Sequence, residues 1–364
     1  MPDPLKNIYN EKFVTLLGQE ISAQHAIDSQ DLLNQVFDQQ WEKRELKDRM
    51  MHIAACLRNV LPDEYGEALK ILMPVSDKFT DLEGMIFPGY VELFGLDHFE
   101  LSMSALEYFT SNSSSEFAVR PFILKYPEKM ISQLNLWAKS DNHHVRRLAS
   151  EGCRPRLPWA IALPEFKQDP NPVLSVLETL RADESEYVRR SVANNLNDIA
   201  KDNPQITIRV ARQWYGENEK TDRLVKHACR TLLKQGESSV LDLFGFESPK
   251  HIAIKAFNVS QFVKVGQKLE FEFELSSERE RLGKLRIEYA IGFVKQNGRQ
   301  ARKVFHISES ISDMSFKKVM RAHSFKKIST RKYYPGKHDI ALIINGIELA
   351  TAEFNLISSS ETGT

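Results

Sequence analysis

One acid, Glu151, stands among four arginines in the segment HHVRRLASEGCRPRLPW at 143–159. A glycine and two prolines follow it, which predicts that its carboxylate lies where a helix gives way to a rigid loop. That placement is more precise than a surface ion pair requires. Together with the aromatic ring of Trp159, the set suits a reaction that develops positive charge. The four arginines are Arg146, Arg147, Arg154 and Arg156.

Two further carboxylates are expected near Glu151. Val145 and Val188 begin equivalent VRR segments, and Glu151 lies six residues after the first valine while Asp198 lies ten after the second. Four residues make about one helical turn, or about 6 Å, and packed helices lie about 8–10 Å apart. Both acids can therefore face one point, which Glu116 in SSSEFAVRPFI could approach from the other side.

Each of these residues also has a simpler interpretation. Glu116 lies three residues after a serine, as in a capping box. Glu151 lies four residues after Arg147, where an i,i+4 ion pair is expected, although the Arg-before-Glu order is the weaker one. Asp198 could cap a turn, and a tryptophan such as Trp159 is more often part of a core than of a site.

Other chemistry finds little support. We find no phosphate-binding glycine-rich loop, no Gly-x-Ser-x-Gly motif and no zinc-site spacing among the ten histidines, so we expect neither metal nor cofactor. The cysteines, Cys56, Cys153 and Cys229, are odd in number and far apart, which indicates buried thiols in a reducing compartment. No apolar run approaches the roughly 18 residues of a membrane span. The N-terminal segment resembles no signal or transit peptide, so we expect a cytoplasmic protein without membrane contact.

The formal net charge of +0 conceals a gradient along the chain. Residues 1–115 carry 19 acidic and 9 basic side chains, whereas residues 295–337 carry 12 Lys and Arg against 2 Asp and Glu. Such a basic block on an ordered domain indicates a polyanionic partner, nucleic acid above all. A solvated lysine-rich face that keeps sheet edges apart is the alternative.

The first two-thirds of the chain has helical periodicity and contains a repeat. The VRR segment at Val145 recurs at Val188, 43 residues later, and a related segment has Val225 another 37 residues on. Helix pairs repeating at about 40 residues are typical of HEAT-type solenoids, whose second helices line a concave face. An Arg pair in each repeat suits duplex DNA there, although the same arginine often bonds the adjacent repeat instead.

After about Gly236 the apolar residues alternate with a period of two. Six or seven strands, with Asn-Gly dipeptides at 297–298 and 345–346 suited to type I′ hairpins, indicate an immunoglobulin-like antiparallel β-sandwich. We therefore predict a right-handed α-solenoid of HEAT-like repeats at 1–245, a β-sandwich at 250–357 and a disordered tail at 358–364.

The segments HHVRRLASEGCRPRLPW, SSSEFAVRPFI and VRRSVANNLNDIAKDNP resemble the repeats of the AlkC branch of the AlkC/AlkD alkylpurine DNA glycosylases. The motif Glu-Gly-x-Arg-Pro-Arg-Leu-Pro-Trp is highly specific, the resemblance covers residues 5–245, and the C-terminal domain is similar to one carried by part of that branch. The resemblance implies a hydrolase of DNA repair, a monofunctional glycosylase. It would excise cationic N3-alkylated bases, chiefly 3-methyladenine and also 3-methylcytosine, from duplex DNA.

The resemblance also implies roles for the acids. An N3-alkylated base already carries positive charge and leaves as a neutral molecule, so no general acid is needed. An oxocarbenium-like deoxyribose must instead be stabilised by negative charge. Glu151 is expected to have the central role, with Asp198 and Glu116 assisting and the Trp159 ring meeting the cationic lesion and sugar. Members of this family are thought to leave the base stacked.

Cations are expected to hold the DNA backbone and, at Arg147 and Arg154, to keep Glu151 ionised. The predicted contacts of the helical part are Arg120, Arg146, Arg147, Arg154, Arg156, Arg189, Arg190 and Lys226. Those of the C-terminal domain, which would close a clamp, are Arg302, Lys303, Lys317, Lys318, Lys326, Lys327, Arg331 and Lys332. We expect a monomer. The alternative is a non-catalytic HEAT-repeat module that binds DNA or serves as a protein scaffold.

Overall fold

The computed structural model describes residues 4–328 and 331–358, which form two compact units that divide between Ala228 and Cys229. The first unit is helical, and the second combines two short helices with a β-sandwich. The predicted tail at 358–364 lies outside the described residues except for Ser358. None of the described helices combines the length and the apolar character that crossing a bilayer would require.

Helices account for the regular structure of the first unit. Short 3₁₀ helices lie at Leu5–Ile8, Trp41–Lys43 and Glu83–Met85. The α-helices are α1 (Glu11–Ser22), α2 (Ser29–Val36), α3 (Leu46–Val60), α4 (Tyr65–Ser76), α5 (Ile86–Phe94), α6 (Phe99–Phe109), α7 (Val119–Lys125), α8 (Pro127–Trp137), α9 (His143–Gly152), α10 (Pro164–Gln168), α11 (Asn171–Leu180), α12 (Glu186–Asp202), α13 (Pro204–Trp214) and α14 (Glu219–Ala228).

The predicted repeats are helix pairs in the structure, which confirms the helical repeat region. They are α8 with α9, α11 with α12, and α13 with α14, and α12 packs against both α9 and α14. The valines that mark the repeat, Val145, Val188 and Val225, are all buried. The second helix of each pair therefore packs the face that carries this valine into the core. The residues on its other faces contact the neighbouring helix or solvent.

The first arginine of each VRR segment holds its own repeat together. The Nη1 atom of Arg146 donates to the carbonyl oxygens of Ser140 and Asp141 at 3.0 and 2.9 Å. Arg189 makes the same two bonds one repeat later, to carbonyl oxygens five and six residues before it. Arg146 also binds the Asp183 carboxylate of the next repeat through Nε and Nη2. Arg146 therefore bonds the adjacent repeat, as the structural alternative predicts, whereas Arg189 bonds carbonyl oxygens of its own repeat. The contact of either residue with DNA stays a prediction.

The second unit begins with helices α15 (Arg230–Gln235) and α16 (Ser238–Leu243) and a 3₁₀ helix at Pro249–His251. Their segment bonds to the strands that follow: Lys284 Nζ donates to the Phe244 carbonyl oxygen at 2.6 Å, and Asn345 Nδ2 donates to that of Glu247 at 2.8 Å. Because of these bonds, α15 and α16 belong to the second compact unit, which begins at Cys229. The sequence had placed the boundary later, at residue 245.

Eight strands build the sandwich in the described residues. They form a three-stranded sheet in the order β1-β3-β6 and a five-stranded sheet in the order β2-β8-β7-β4-β5. All neighbours are antiparallel except β2 and β8, which are parallel over three residues. The strands are β1 (Ile252–Val259), β2 (Phe262–Lys264), β3 (Lys268–Ser277), β4 (Gly283–Val294), β5 (Gln300–Ser312), β6 (Phe316–Ser324), β7 (Gly336–Ile344) and β8 (Ile347–Ile357).

The helical region followed by an immunoglobulin-like sandwich is confirmed, with eight described strands where the sequence predicted six or seven. Strands β2 and β6 lack a clear alternation of apolar and polar residues and were not among those predicted. Strand β3 buries alternate residues as its pattern predicts, from Leu269 to Leu275. Strand β6 buries only Val319 and His323. Its lysines and arginine interrupt the alternation of apolar and polar residues, so the sequence pattern does not reveal the strand. Strand β2 is three residues long, too short for a period to be visible.

The two Asn-Gly turns differ in conformation. Asn345 and Gly346 both have positive φ, 45° and 78°, as a type I′ turn requires. At the other turn only Gly298 has positive φ, so the type I′ prediction for Asn297-Gly298 is wrong. Gly298 N donates to the Lys295 carbonyl oxygen, which makes this a three-residue loop with glycine in the left-handed position.

We expect Asn345→Ala to lower the free energy of unfolding by about 2–4 kcal/mol. The Asn345 side chain is 3 % exposed, donates to two carbonyl oxygens and accepts from Arg286 N, so its loss leaves buried polar groups without partners. Urea denaturation measures the change, with Asn297→Ala in the exposed turn as the control. Equal stability of the two variants would contradict this role for the Asn345 side chain.

Candidate active site

Glu151 and Asp198 share one guanidinium group. Arg154 Nη1 donates to Glu151 Oε1 at 2.5 Å, and Arg154 Nε donates to Asp198 Oδ2 at 2.9 Å. Lys201 Nζ adds a second cation, 2.8 Å from Asp198 Oδ1. Glu151 lies in the last turn of α9 and Asp198 in the last turns of α12, so the packing of these helices brings the two acids together.

Glu116 joins the same network through a second arginine. Arg147 Nη1 pairs with Glu116 Oε2, and Ser114 Oγ donates to that oxygen at 2.9 Å. Arg147 Nη2 lies 3.6 Å from Glu151 Oε1. We call the three acids Glu116, Glu151 and Asp198, with the two guanidinium groups that join them, the carboxylate cluster. Negative and positive groups alternate along it, and the structure thus brings together the acids that the sequence singled out.

The geometry decides between the interpretations that the sequence left open. Helix α7 begins after Ala118 without a side-chain cap, so Glu116 completes no capping box. Asp198 lies inside α12 rather than at a turn. The ion pair of Glu151 with Arg147 exists, but the contact with Arg154 is shorter. All three acids are therefore held by arginines.

The two arginines of the carboxylate cluster stay protonated although they are largely buried. Burial alone would lower the pKa of Arg154, but the carboxylates of Glu151 and Asp198 outweigh it and raise that pKa above its ordinary value. In Arg147 the lowering by burial is likewise outweighed by Glu116 and Glu151, so its pKa is raised too. Both guanidinium groups are thus fixed cations that hold carboxylates in place.

Cysteines offer no nucleophile at this site. Burial raises the pKa of the Cys153 thiol, which lies beside the cluster, to about 12. The same cause raises the pKa of Cys56 to about 11 and that of Cys229 to about 12. All three thiols are buried and unbridged, as the sequence predicted. A thiol with so high a pKa stays protonated at neutral pH, and the thiolate is the reactive form.

Trp159 is exposed and its backbone is unusual. Its side chain is 68 % exposed, which excludes a place in the core, and its φ is +65°, a left-handed conformation that bulky residues rarely adopt. Lys47 Nζ, from α3, donates to the Trp159 carbonyl oxygen at 3.2 Å. The sequence did not reveal Lys47, because 112 residues separate it from its partner and its local pattern is that of an ordinary helix start.

Arg120 holds the loop that carries Trp159, residues 153–163, which we call the tryptophan loop. Its Nε donates to the Ile161 carbonyl oxygen at 2.6 Å, and its Nη1 donates to those of Gly152 and Arg154 at 2.9 and 2.8 Å. The side chain is fully buried, so it cannot reach a phosphate. The prediction that Arg120 contacts DNA is therefore wrong, and the residue instead fixes the loop.

The remaining predicted cations of the helical unit lie in different settings. Arg156 forms two hydrogen bonds with the Asp202 carboxylate, at 2.8 and 2.6 Å. Arg190 is exposed, with Glu186 at 3.7 Å as its ion-pair partner. Lys226 is half-buried on α14. Of these three, Arg190 is the side chain most open to a ligand.

In the sandwich, several predicted cations surround a cluster of aromatic rings. The guanidinium carbon of Arg331 lies 4.2 Å from the ring centre of Phe293, and Lys303 Nζ lies 5.5 Å from that of Phe305. Lys326, Lys327 and Lys332 are exposed. Among the described residues, none of these five cations forms an ion pair with a carboxylate. Burial and the nearby cations Arg331 and Lys303 lower the pKa of His323, within the same cluster, to about 4.

Three other cations of the predicted set have partners. Lys318 pairs with Glu272 at 3.1 Å, and Arg302 pairs with Glu348. Lys317 Nζ donates to Ser310 Oγ at 3.1 Å. Among the predicted cations of the sandwich, those without a described partner therefore lie around the aromatic rings, in the segment that follows β6 and near the start of β5.

We expect Arg120→Met to lower the free energy of unfolding by about 3–5 kcal/mol, because two buried carbonyl oxygens and a partly buried one lose a charged donor. Urea denaturation of the full chain measures this. The control is Arg156→Met, whose partially exposed ion pair contributes about 0–1 kcal/mol. Similar stabilities for the two variants would show that the tryptophan loop does not depend on Arg120.

Comparisons with known proteins agree with this architecture. Residues 102–232 match the family model "DNA alkylation repair enzyme", and residues 253–358 match "Uncharacterised protein YhaZ, C-terminal Ig-like domain". The chain is 47 % identical to the protein YhaZ of Bacillus subtilis (strain 168) over 345 residues, which cover 94 % of this chain and 96 % of that protein.

A solved structure extends the match to nearly the whole chain. It is the Pseudomonas fluorescens alkylpurine DNA glycosylase AlkC, bound to DNA that contains an abasic site analogue. The likeness has a TM-score of 0.93 at 35 % identity and covers 98 % of this chain and 100 % of that one. The chain belongs to the AlkC-like DNA alkylation repair family and carries a C-terminal immunoglobulin-like domain of the YhaZ type.

Proposed function

We propose that this protein is a DNA glycosylase that hydrolyses the N-glycosidic bond of cationic N3-alkylated bases, such as 3-methyladenine and 3-methylcytosine, in duplex DNA. The observation that carries the proposal is the carboxylate cluster, together with the exposed ring of Trp159 on the loop that follows Glu151. The likeness to an alkylpurine DNA glycosylase bound to damaged DNA supports it.

The reaction needs negative charge rather than a general acid. The alkylated base is already cationic, so the electrons of the breaking C1′–N bond neutralise it and it leaves as a neutral molecule. The deoxyribose becomes oxocarbenium-like, and fixed carboxylates stabilise that positive charge. The oxygen of a water molecule then bonds to C1′, and its proton passes to a carboxylate or to solvent.

Glu151 is the acid best placed for this role. Its Oε1 atom is taken by Arg154 and approached by Arg147, whereas Oε2 accepts no hydrogen bond from any described residue. That oxygen is available to face the sugar or to orient water. Glu116 likewise has Oε1 unbonded, since its contacts fall on Oε2.

Asp198 fits a positioning role better than direct contact with the sugar. Its Oδ2 atom accepts from Arg154 and its Oδ1 atom accepts from Lys201, and the residue is 1 % exposed. It therefore fixes the guanidinium that holds Glu151. The assistance expected of Asp198 would then be indirect, through Arg154, rather than through contact with the deoxyribose.

We expect Glu151→Gln to reduce release of 3-methyladenine from methylated duplex DNA by about 100-fold or more, since it removes the charge aimed at the developing cation. Chromatography of the released base measures the rate. Glu165→Gln, an exposed acid on α10, is the matched control and should keep normal activity. Full activity of folded Glu151→Gln would refute the central role, and a wild type that releases nothing would favour a DNA-binding module without catalysis.

Cations of both units are the candidates for holding the DNA backbone. In the helical unit Arg190 is the exposed member of the second VRR pair. In the sandwich, Lys303, Lys326, Lys327, Arg331 and Lys332 carry positive charge without carboxylate partners among the described residues. Phosphate contacts of this kind give affinity that falls as salt rises.

We expect the triple change Lys326→Gln, Lys327→Gln and Lys332→Gln to weaken DNA binding and to make its dependence on salt less steep. If all three lysines contact phosphates, the slope of log K against log salt falls by about 3. Fluorescence anisotropy at several salt concentrations measures both quantities. Three exposed lysines of the acidic N-terminal part, Lys12, Lys43 and Lys78, provide the control substitutions. An unchanged slope would exclude this loop from the DNA interface.

A further inference from the structure

A cleft of about 390 Å³ lies within the helical unit. Its lining is mostly apolar and includes Trp159, Phe117, Leu82, Met50 and Met85. Phe117 directly follows Glu116 of the cluster in the chain. Trp159 is thus common to the cleft and the proposed active site, whereas the acids and arginines of the carboxylate cluster do not line the cleft.

Lys47 contacts two of the three aromatic residues that line this cleft, which are Tyr9, Phe117 and Trp159. Its Nζ atom lies 5.1 Å from the ring centre of Phe117 and 3.2 Å from the Trp159 carbonyl oxygen. No carboxylate forms an ion pair with it among the described residues. Glu45 also lines the cleft, and Lys6 Nζ pairs with its Oε1 atom at 3.0 Å. Burial raises the pKa of the half-buried Glu92, and the nearby charge of Lys47 opposes that rise. The cleft thus combines aromatic faces with the ammonium of Lys47, which is also a hydrogen-bond donor.

The conformation of Trp159 also indicates a ligand. A left-handed backbone is costly for a bulky residue, and such outliers persist where the surroundings hold them for a functional reason. Here the bond from Lys47 and the Arg120-bound tryptophan loop hold it. The ring gains little from burial in return, being 68 % exposed, so its placement serves contact with something outside the fold.

We propose that the cleft receives the nucleobase after the glycosidic bond has broken, as a neutral purine stacked on Trp159. This inference rests on the proposed function. Aromatic faces stack on any base, and Lys47 can donate to a ring nitrogen. The ammonium of Lys47 repels the lesion while the base is cationic and admits it once it is neutral. The base thus stays in the helix until cleavage, and the cleft draws the product away.

Binding of free bases to the full-length protein, without DNA, tests the proposal. The probes are 3-methyladenine, inorganic phosphate and the 3,9-dimethyladeninium cation, which mimics the charged lesion base, in a buffer that keeps the free base neutral. Calorimetry or saturation-transfer NMR measures affinity. We expect wild type to bind 3-methyladenine at least tenfold more tightly than the cation, and Lys47→Met to reduce that preference.

A cleft-filling variant checks the location. Leu82→Trp occupies the cleft and should weaken binding of 3-methyladenine at least tenfold. Leu136→Trp, at a 64 % exposed position on α8, is the control and should bind as wild type does. Glu151→Gln should also bind the free base normally, because Glu151 does not line the cleft.

The inference would be refuted if 3-methyladenine did not bind, or if Leu82→Trp bound it as tightly as wild type. It would also be refuted if inorganic phosphate displaced the base, because Lys47 would then be a phosphate contact. Equal affinity for the cation and the neutral base would remove the selection by charge. Base binding by a wild type that excises nothing from DNA would leave the cleft valid and refute the glycosylase function.

Discussion

The ion pairs of Arg154 with Glu151 and Asp198 are the interaction on which the rest of the site depends. They join the ends of two neighbouring helices, α9 and α12, in a setting where the acids are 5 % and 1 % exposed. Removing one partner of a buried ion pair leaves an uncompensated charge, so each member constrains the others. The repeat packing, the Arg146 bonds between repeats and the Arg120-bound loop all fix the distance that this pairing requires.

Arginines that occur in the same VRR motif or close to it have different roles in the structure. Arg146 and Arg189 bind carbonyl oxygens and hold repeats in shape, whereas Arg147 and Arg154 hold acids in place. Arg190 alone of the two VRR pairs remains largely open to solvent. A repeat protein can thus use the same short motif for stability in one position and for chemistry in the next.

Much of the fold and part of the site could be predicted, because they follow from residue patterns that are local in the sequence. Helical and strand periods revealed the two-part fold, and the spacing of Val145 and Val188 was enough to bring Glu151 and Asp198 together. Contacts distant in sequence were beyond reach: nothing near Lys47 or Arg120 indicates that their side chains end on carbonyl oxygens of the tryptophan loop. The strand β6 was missed because charged residues occupy positions that a regular alternation would leave apolar.

The burial of the three cysteines affects how readily they react with alkylating agents. Small electrophiles that methylate DNA bases also react with thiolates, and burial raises the pKa of Cys56, Cys153 and Cys229 well above neutral. The three cysteines therefore present these agents with little thiolate, even at Cys153, which lies next to the carboxylate cluster. Buried thiols of this kind resist alkylation by the reagents that methylate DNA bases.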